Sequence, residues 1–321
     1  MTDRPQSLER GRTPGIRRWW VYQRERFPLV GHGLLIAAFS FSALSFSMLL
    51  RGRIPLPAAL PVLVSFTTAF LFFLQLRIAD EFKDFEEDSR YRPYRPVPRG
   101  LVTLRELGMV GLLAAVVQLG LAMWLRVEMV ALLAAAWAYL FLMSKEFFIP
   151  EWLKAHPIPY MISHMVIIPL VDLYATACDW LVAGEDPPRG LIWFLVVSYF
   201  NGLVIEIGRK VRGPKEEEEG VNTYSALWGR RNAVLAWLAS LLTTAVCAFA
   251  AAWQIDFLLP VSALLVVLLL AAGICAASFL LRPEAKRAKR IETLSGLWTI
   301  LMYLSLGGVP LLARAWFGGG G

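Results

Sequence analysis

The chain has 321 residues, of which 57% are hydrophobic and only 18% are charged. Soluble domains of this size are nearer half apolar and a quarter charged, so the composition excludes an ordinary soluble globular protein. The formal net charge of +7 does not indicate a nucleic-acid partner, because the basic residues occupy short loops between long apolar runs rather than one continuous face.

Nine apolar runs follow one another along the chain, and each is close to the ~20 residues that cross a bilayer as a helix. In lipid a backbone polar group must be satisfied within its own segment, so these runs should be helical. The fourth run is the shortest. The predicted spans are 28–50, 56–79, 107–125, 128–144, 158–182, 190–208, 231–253, 256–281 and 294–316.

The distribution of Lys and Arg predicts the orientation of these spans. Of the 32 basic residues, 26 fall in the N-terminal segment and the loops on one side, and five fall on the other, with Arg77 inside the second span. We therefore expect an integral, multi-pass membrane protein whose N-terminus and long charged loops are cytoplasmic. It would consist of a cytoplasmic N-terminal segment (1–27), a single transmembrane domain (28–316) and a flexible tail (317–321).

An acidic stretch follows the second span. Asp80, Asp84 and Asp88 are four residues apart, which places them within about 80° on one face of a helix, with Glu81 beside them. Stacked carboxylates repel one another unless a cation lies between them, and oxygen ligands of this kind suit Mg²⁺ shared with substrate phosphates. The alternative is a solvated, charged helix extension in which Lys83 is the internal partner.

An arginine- and proline-rich loop comes next and carries Arg90, Arg92, Arg95 and Arg99. Proline restricts the backbone and so fixes where the neighbouring cations point. Arg binds phosphate oxygens in a bidentate manner. The carboxylates and the arginines together favour a magnesium-bridged diphosphate over the simple helix extension, with Arg95 and Arg92 as the phosphate contacts.

This combination resembles the first signature of the UbiA superfamily of intramembrane prenyltransferases. Asp80-Glu81-x-x-Asp84-x-x-x-Asp88 is followed, seven residues after its last Asp, by Arg95-Pro96-Val97-Pro98-Arg99-Gly100. Two departures are Glu81, where the family has Asp, and Arg99, where it has a small residue. The resemblance implies an all-α fold of about nine transmembrane helices around a central cavity, with Mg²⁺, a prenyl diphosphate, a lipophilic acceptor and membrane lipid as partners.

A second acidic signature of that superfamily, after the sixth span, is only partly present. Gly220 and Thr223 match its end, but an ungapped alignment leaves Glu216 as the only acid and puts Arg209 where an Asp is expected. A three-residue insertion instead brings Glu206 onto the first Asp position. Because an ionisable residue within an apolar span is usually functional, we favour Glu206 as a metal ligand. An ion pair of Glu206 with Arg209 or Lys210 stays open.

Two lysines in the loop after the fourth span complete the predicted site. Lys154 resembles the family's lysine near this loop, which contacts diphosphate, and Lys145 lies earlier in the same loop. The alternative for both is a positively charged anchor at the membrane surface.

These residues predict a Mg²⁺-dependent prenyltransferase. Its metal ligands would be Asp80, Glu81, Asp84, Asp88, Glu206 and Glu216, and its diphosphate contacts Arg95, Arg92, Lys154, Lys145 and Arg209. Asp80, Asp84, Asp88 and Glu206 would be the catalytic group. One alternative is a UbiA-type terpene cyclase that ionises a prenyl diphosphate without an acceptor. Another is a non-enzymatic lipid binder or transporter.

Overall fold

The computed structural model describes residues 15–53, 56–218 and 220–317, and all regular secondary structure in these ranges is helical. Most of segment 1–27, Glu219 and the glycines of the predicted tail lie outside them. The helices are α1 (Gly15–Arg26), α2 (Leu29–Leu50), α3 (Ala59–Lys83), α4 (Phe85–Tyr91), α5 (Leu104–Leu125), α6 (Met129–Ser144), α7 (Pro150–Ala155), α8 (Pro157–Met165), α9 (Ile167–Trp180), α10 (Leu191–Arg209), α11 (Tyr224–Trp228), α12 (Arg230–Gln254), α13 (Leu258–Leu281), α14 (Ala285–Leu306) and α15 (Gly308–Phe317).

Eight segments of the described chain are long and apolar enough to cross a membrane, counting α8 with α9 and α14 with α15 as one segment each. The shorter apolar helix α6 occupies the position of the fourth predicted span. The predicted all-α membrane architecture is confirmed. The last span begins at Ala285 rather than at residue 294, because a basic amphipathic stretch continues the helix beyond the apolar run.

The fifth and ninth spans are each broken by a proline. Pro169 has no N–H to donate to the carbonyl of Met165, the last residue of α8, and Pro310 likewise leaves the carbonyl of Leu306 at the end of α14 without a donor. Helices α8 and α14 therefore end four residues before a proline. Helices α9 and α15 each begin after one intervening residue.

The centre of the bundle is formed by α2 and α10, which pack against α9, α3, α12 and α14. Three of these helices are tied together by polar groups: the Tyr303 hydroxyl donates to Asp172 over 3.3 Å and lies 2.9 Å from the Ser198 hydroxyl. The outward faces are apolar, with Val246 70% and Ile274 70% exposed, as expected of a surface in contact with lipid.

One end of the bundle is closed by ion pairs. Arg51, after α2, donates to Asp179 over 2.7 Å and to Glu185 over 2.5 Å, and Arg53 lies 3.2 Å from Glu185. The opposite end, where α3, α6 and α10 finish, is open and charged.

Candidate active site

A chamber of about 500 Å³ lies at the open end of the bundle. Its walls come from the last turns of α3 and α10, from the α6–α8 linker and from residues 220–227. Such a volume is within the ~300–1,000 Å³ of typical ligand pockets. Among the described residues, eight Lys or Arg and five Asp or Glu line it, so the chamber carries a net positive charge suited to a polyanion.

Asp80 and Asp84 face this chamber from the end of α3. The helix ends at Lys83, but the Asp84 N–H still donates to the Asp80 carbonyl over 2.9 Å, so the two side chains stay one turn apart. Asp80 lies 3.4 Å from Arg77. Burial raises the pKa of Asp84, and the negative field of Asp80 adds to this while Lys83 opposes it.

Asp88, the third predicted aspartate, is buried beside the chamber rather than lining it. Its carboxylate lies 3.0 Å from Arg92 and 2.5 Å from Arg95, both of which do line the chamber. Asp88 therefore holds the two predicted phosphate contacts in place.

Glu81 is also turned away from the chamber. It is 2% exposed and accepts a hydrogen bond from Nε of Arg26 at the end of α1. Arg26 itself lines the chamber. Helix α1 is fixed there by Tyr22, which packs in a small apolar cluster with Val97 and Leu107.

The second acidic position is paired with two basic neighbours. Glu206 lines the chamber, but Arg209 lies 2.5 Å and Lys210 2.7 Å from its carboxylate, and the Tyr224 hydroxyl donates to it over 3.4 Å. This is the ion pairing that the sequence left open. Glu216 lies elsewhere, where its carboxylate accepts from the Gly213 N–H over 3.0 Å and caps a short turn.

Of the two predicted lysines, only Lys154 lines the chamber, and Lys145 is exposed at the end of α6. Lys154 donates to Glu87 over 3.1 Å, and this hydrogen bond raises the pKa of the lysine despite partial desolvation.

Directly after α6 the backbone makes a left-handed turn of three non-glycine residues. The φ angles of Glu146, Phe147 and Phe148 are 48°, 53° and 60°. This conformation costs roughly 1–2 kcal/mol per L-residue, so the surrounding packing must enforce it. The ring of Phe147 supplies that packing by contacting Tyr139 and His164 edge-on, at 5.6 and 5.9 Å between ring centres.

Several residues that line the chamber were not among the predicted site residues. Lys83 donates to the Tyr160 hydroxyl over 2.5 Å, and Arg26, Arg77 and Glu146 also line the chamber. Arg77 carried a signal that could have identified it, because an arginine inside an apolar span is rare and usually faces a polar cavity.

The carboxylates fit a magnesium ion that is shared with a phosphate substrate. No group of three or more His, Cys, Asp or Glu close enough to hold a metal occurs in the described part of the chain. Mg²⁺ is commonly held by one or two carboxylates, with waters and substrate phosphates as the other ligands. Asp80 and Asp84, one turn apart on the chamber wall, match that donor set.

The sequence profile of the UbiA prenyltransferase family matches residues 38–306. The chain belongs to this family. The match covers α3 to α14, and therefore both acidic positions, but it excludes α1 and with it Arg26. No curated protein sequence matches this UbiA chain.

Solved structures share the fold of this UbiA family member at low sequence identity. A UbiA homologue from Aeropyrum pernix K1 has a TM-score of 0.67 at 13% identity, covering 88% of this chain and 98% of the homologue. A digeranylgeranylglyceryl phosphate synthase has a TM-score of 0.58 at 13% identity, covering 93% and 99%. A UbiA homologue from Archaeoglobus fulgidus bound to GPP and Mg²⁺ has a TM-score of 0.54 at 13% identity, covering 89% and 99%.

Proposed function

We propose that this protein is a Mg²⁺-dependent intramembrane prenyltransferase that transfers a prenyl group from a prenyl diphosphate to a lipophilic acceptor. The observation that carries the proposal is the chamber itself. Asp80 and Asp84 face it together with eight cationic side chains, and its wall also includes apolar residues such as Ile168.

The cationic wall supplies the binding of the diphosphate. Arg92 and Arg95, held by Asp88, would contact phosphate oxygens, and Lys154 and Arg209 would add charge from two further elements. Asp80 and Asp84 would hold Mg²⁺, which when bound stabilises negative charge on the leaving diphosphate.

The apolar part of the wall accommodates the hydrocarbon. Leu76, Met165, Ile167 and Ile168 line the chamber together with the charged residues. A prenyl chain lying against them shields its C1 carbon from water, so that the allylic cation reacts with the acceptor. The acceptor and the prenyl chain both partition into lipid, which agrees with a chamber inside a membrane domain.

Two further observations support this proposal. The Archaeoglobus fulgidus homologue is bound to GPP and Mg²⁺ in one structure and to DMAPP and Mg²⁺ in another. The asymmetric distribution of Lys and Arg supports a cytoplasmic N-terminus and a cytoplasmic chamber, from which a water-soluble diphosphate would enter.

The test is a product assay with the purified full chain, C10 to C20 prenyl diphosphates and Mg²⁺, with and without aromatic or lipid alcohol acceptors. Asp84→Asn should reduce diphosphate release at least ~100-fold, since a chamber carboxylate that contributes to charge stabilisation is lost. Glu86→Gln is the matched control, because Glu86 is exposed on α4 and outside the chamber.

Other outcomes of this assay support the alternatives. A cyclic hydrocarbon or alcohol formed without acceptor identifies a terpene cyclase. Saturable binding of the diphosphate with no release from any donor identifies a binding or transport protein.

A further inference from the structure

Glu146 is a chamber carboxylate that forms no ion pair with the described part of the chain. Its side chain lines the chamber, the residue is 5% exposed, and its Oε2 is enclosed with no hydrogen-bond partner among the described residues. Three of the other four acids that line the wall form ion pairs: Asp80 with Arg77, Glu87 with Lys154 and Glu206 with Arg209.

The left-handed backbone turn, rather than a side-chain hydrogen bond, sets the position of Glu146. Phe147, the next residue, packs between Tyr139 and His164, and the carbonyl of Glu146 accepts from the Ile149 N–H over 3.0 Å. An unfavourable backbone conformation that is enforced by packing, beside a cavity, is a feature of functional sites.

Glu146 lies on the linker wall of the chamber with Lys154, near Tyr160 of α8, whereas Arg92 and Arg95 follow α4. Its negative charge acts on both Lys154 and Tyr160. Asp84 is the other wall acid that no Lys or Arg nitrogen of the described residues pairs with, and we have assigned it to the metal. Among the described acids of the wall, Glu146 is thus the one that is neither ion-paired nor assigned to the metal.

We infer that Glu146 is the general base that accepts the proton released by the prenyl acceptor, an inference that rests on the proposed prenyl transfer. The C1–O bond of the donor breaks, and its electron pair leaves with the diphosphate. A lone pair or π pair of the acceptor forms the new bond to C1, and the proton that the acceptor then loses passes to the Glu146 carboxylate. The acceptor should therefore carry an ionisable O–H or an aromatic C–H, with its polar group against the α6–α8 linker.

The test compares Glu146→Gln with the wild-type full chain. We expect kcat for transfer to fall about 10²–10⁴-fold, which is the usual contribution of a general base. The dissociation constant for an unreactive prenyl thiodiphosphate, measured with Mg²⁺, should stay within about twofold, and this binding also verifies that the variant is folded. Glu151→Gln is the control, because Glu151 is exposed on the same linker.

A second variant separates a chemical role from a structural one. Glu146→Gly suits the φ of 48° and removes the carboxylate. Added acetate should therefore restore part of the transfer activity of this variant and should not increase the activity of the wild type. A Glu146→Gln protein that transfers at the wild-type rate overturns the inference. The inference is also overturned if the affinity of Glu146→Gln for the thiodiphosphate falls by the same factor as its kcat. If the wild type itself ionises no donor, the proposed function has failed instead.

Discussion

Arg209 lies 2.5 Å from Glu206 at the end of α10, so the carboxylate that was predicted as a metal ligand forms an ion pair. Lys210 approaches the same carboxylate to 2.7 Å, so the second acidic position carries a net positive charge. The diphosphate would consequently meet basic side chains on α10 and carboxylates on α3.

Glu206→Gln tests this charge arrangement. Removing the acid frees Arg209 and Lys210 for the diphosphate, so the dissociation constant for the donor should fall roughly threefold to tenfold, about 1 kcal/mol. The Mg²⁺ concentration for half-maximal activity should stay within about twofold. An increase of tenfold or more in that concentration would instead make Glu206 a metal ligand.

The pair of Arg26 and Glu81 joins α1 to the chamber, and its loss should have two separable effects. Arg26→Gln leaves the buried Glu81 carboxylate unpaired, which typically costs about 3–5 kcal/mol, so the Tm should drop clearly. The KM for the donor should rise about tenfold, because Arg26 lines the chamber and its positive charge would no longer act on the diphosphate. Arg24→Gln, on an exposed position of α1, should change neither quantity.

The double variant Arg26→Gln/Glu81→Gln separates stability from binding. Neutralising both partners should recover most of the Tm but not the KM. Recovery of both quantities would show that Arg26 acts only through the stability of α1.

The left-handed turn predicts an uncommon stabilising substitution. Phe148 has φ of 60° and is 66% exposed, so Phe148→Gly should relieve about 1 kcal/mol of backbone strain and raise the Tm in detergent. Ile149→Gly is the control, because Ile149 has φ of −131°, where glycine brings no relief and increases the entropy of the unfolded chain. An equal change in both variants would contradict the assignment of strain to Phe148.

A glycine allows α2 to lie close to the break between α14 and α15. A Cβ on Gly307 would overlap the backbone of Ser42, which cannot move aside as a flexible side chain does, so Gly307→Ala should lower the Tm strongly. Gly296 lies within α14 and has open space around its Cα, so Gly296→Ala should be neutral or stabilising by up to ~1 kcal/mol. A tolerated Gly307→Ala would mean that the two helices can separate.

The ion pairs at the closed end predict a dependence of stability on pH. The hydrogen bond from Arg51 and the nearby Arg53 lower the pKa of Glu185 to about 2, below its ordinary value of about 4.3. A depressed folded-state pKa stabilises the protein above the unfolded-state pKa, and this stabilisation is lost as the pH falls from about 4.3 towards 2. The Tm of the wild type should therefore fall more steeply over that window than the Tm of Glu185→Gln.

Much of the architecture could be predicted from the sequence because it depends on local properties. Apolar runs of bilayer length gave the helices, and the spacing of Asp80 and Asp84 gave two residues that do share the chamber wall. The breaks after Met165 and Leu306 were also accessible in principle, since Pro169 and Pro310 determine them within one turn.

The rest of the site depends on contacts between distant parts of the chain, which spacing does not reveal. Arg26 reaches Glu81 across 55 residues, and nothing in the motif indicates that its second acid pairs with α1. Glu146 is an ordinary loop acid in the sequence, and its place in the chamber wall follows from a turn in which Phe147 packs on Tyr139 and His164. The motif pattern also could not tell that Asp88 faces arginines.

The docking of α1 has a consequence for biogenesis. The ribosome produces Arg26 before any span exists, yet Glu81 emerges only after the second span, and the α10 wall follows more than a hundred residues later. A partly inserted chain therefore has no complete chamber. The walls from α3 and α10 would therefore come together only when the sixth span has been inserted.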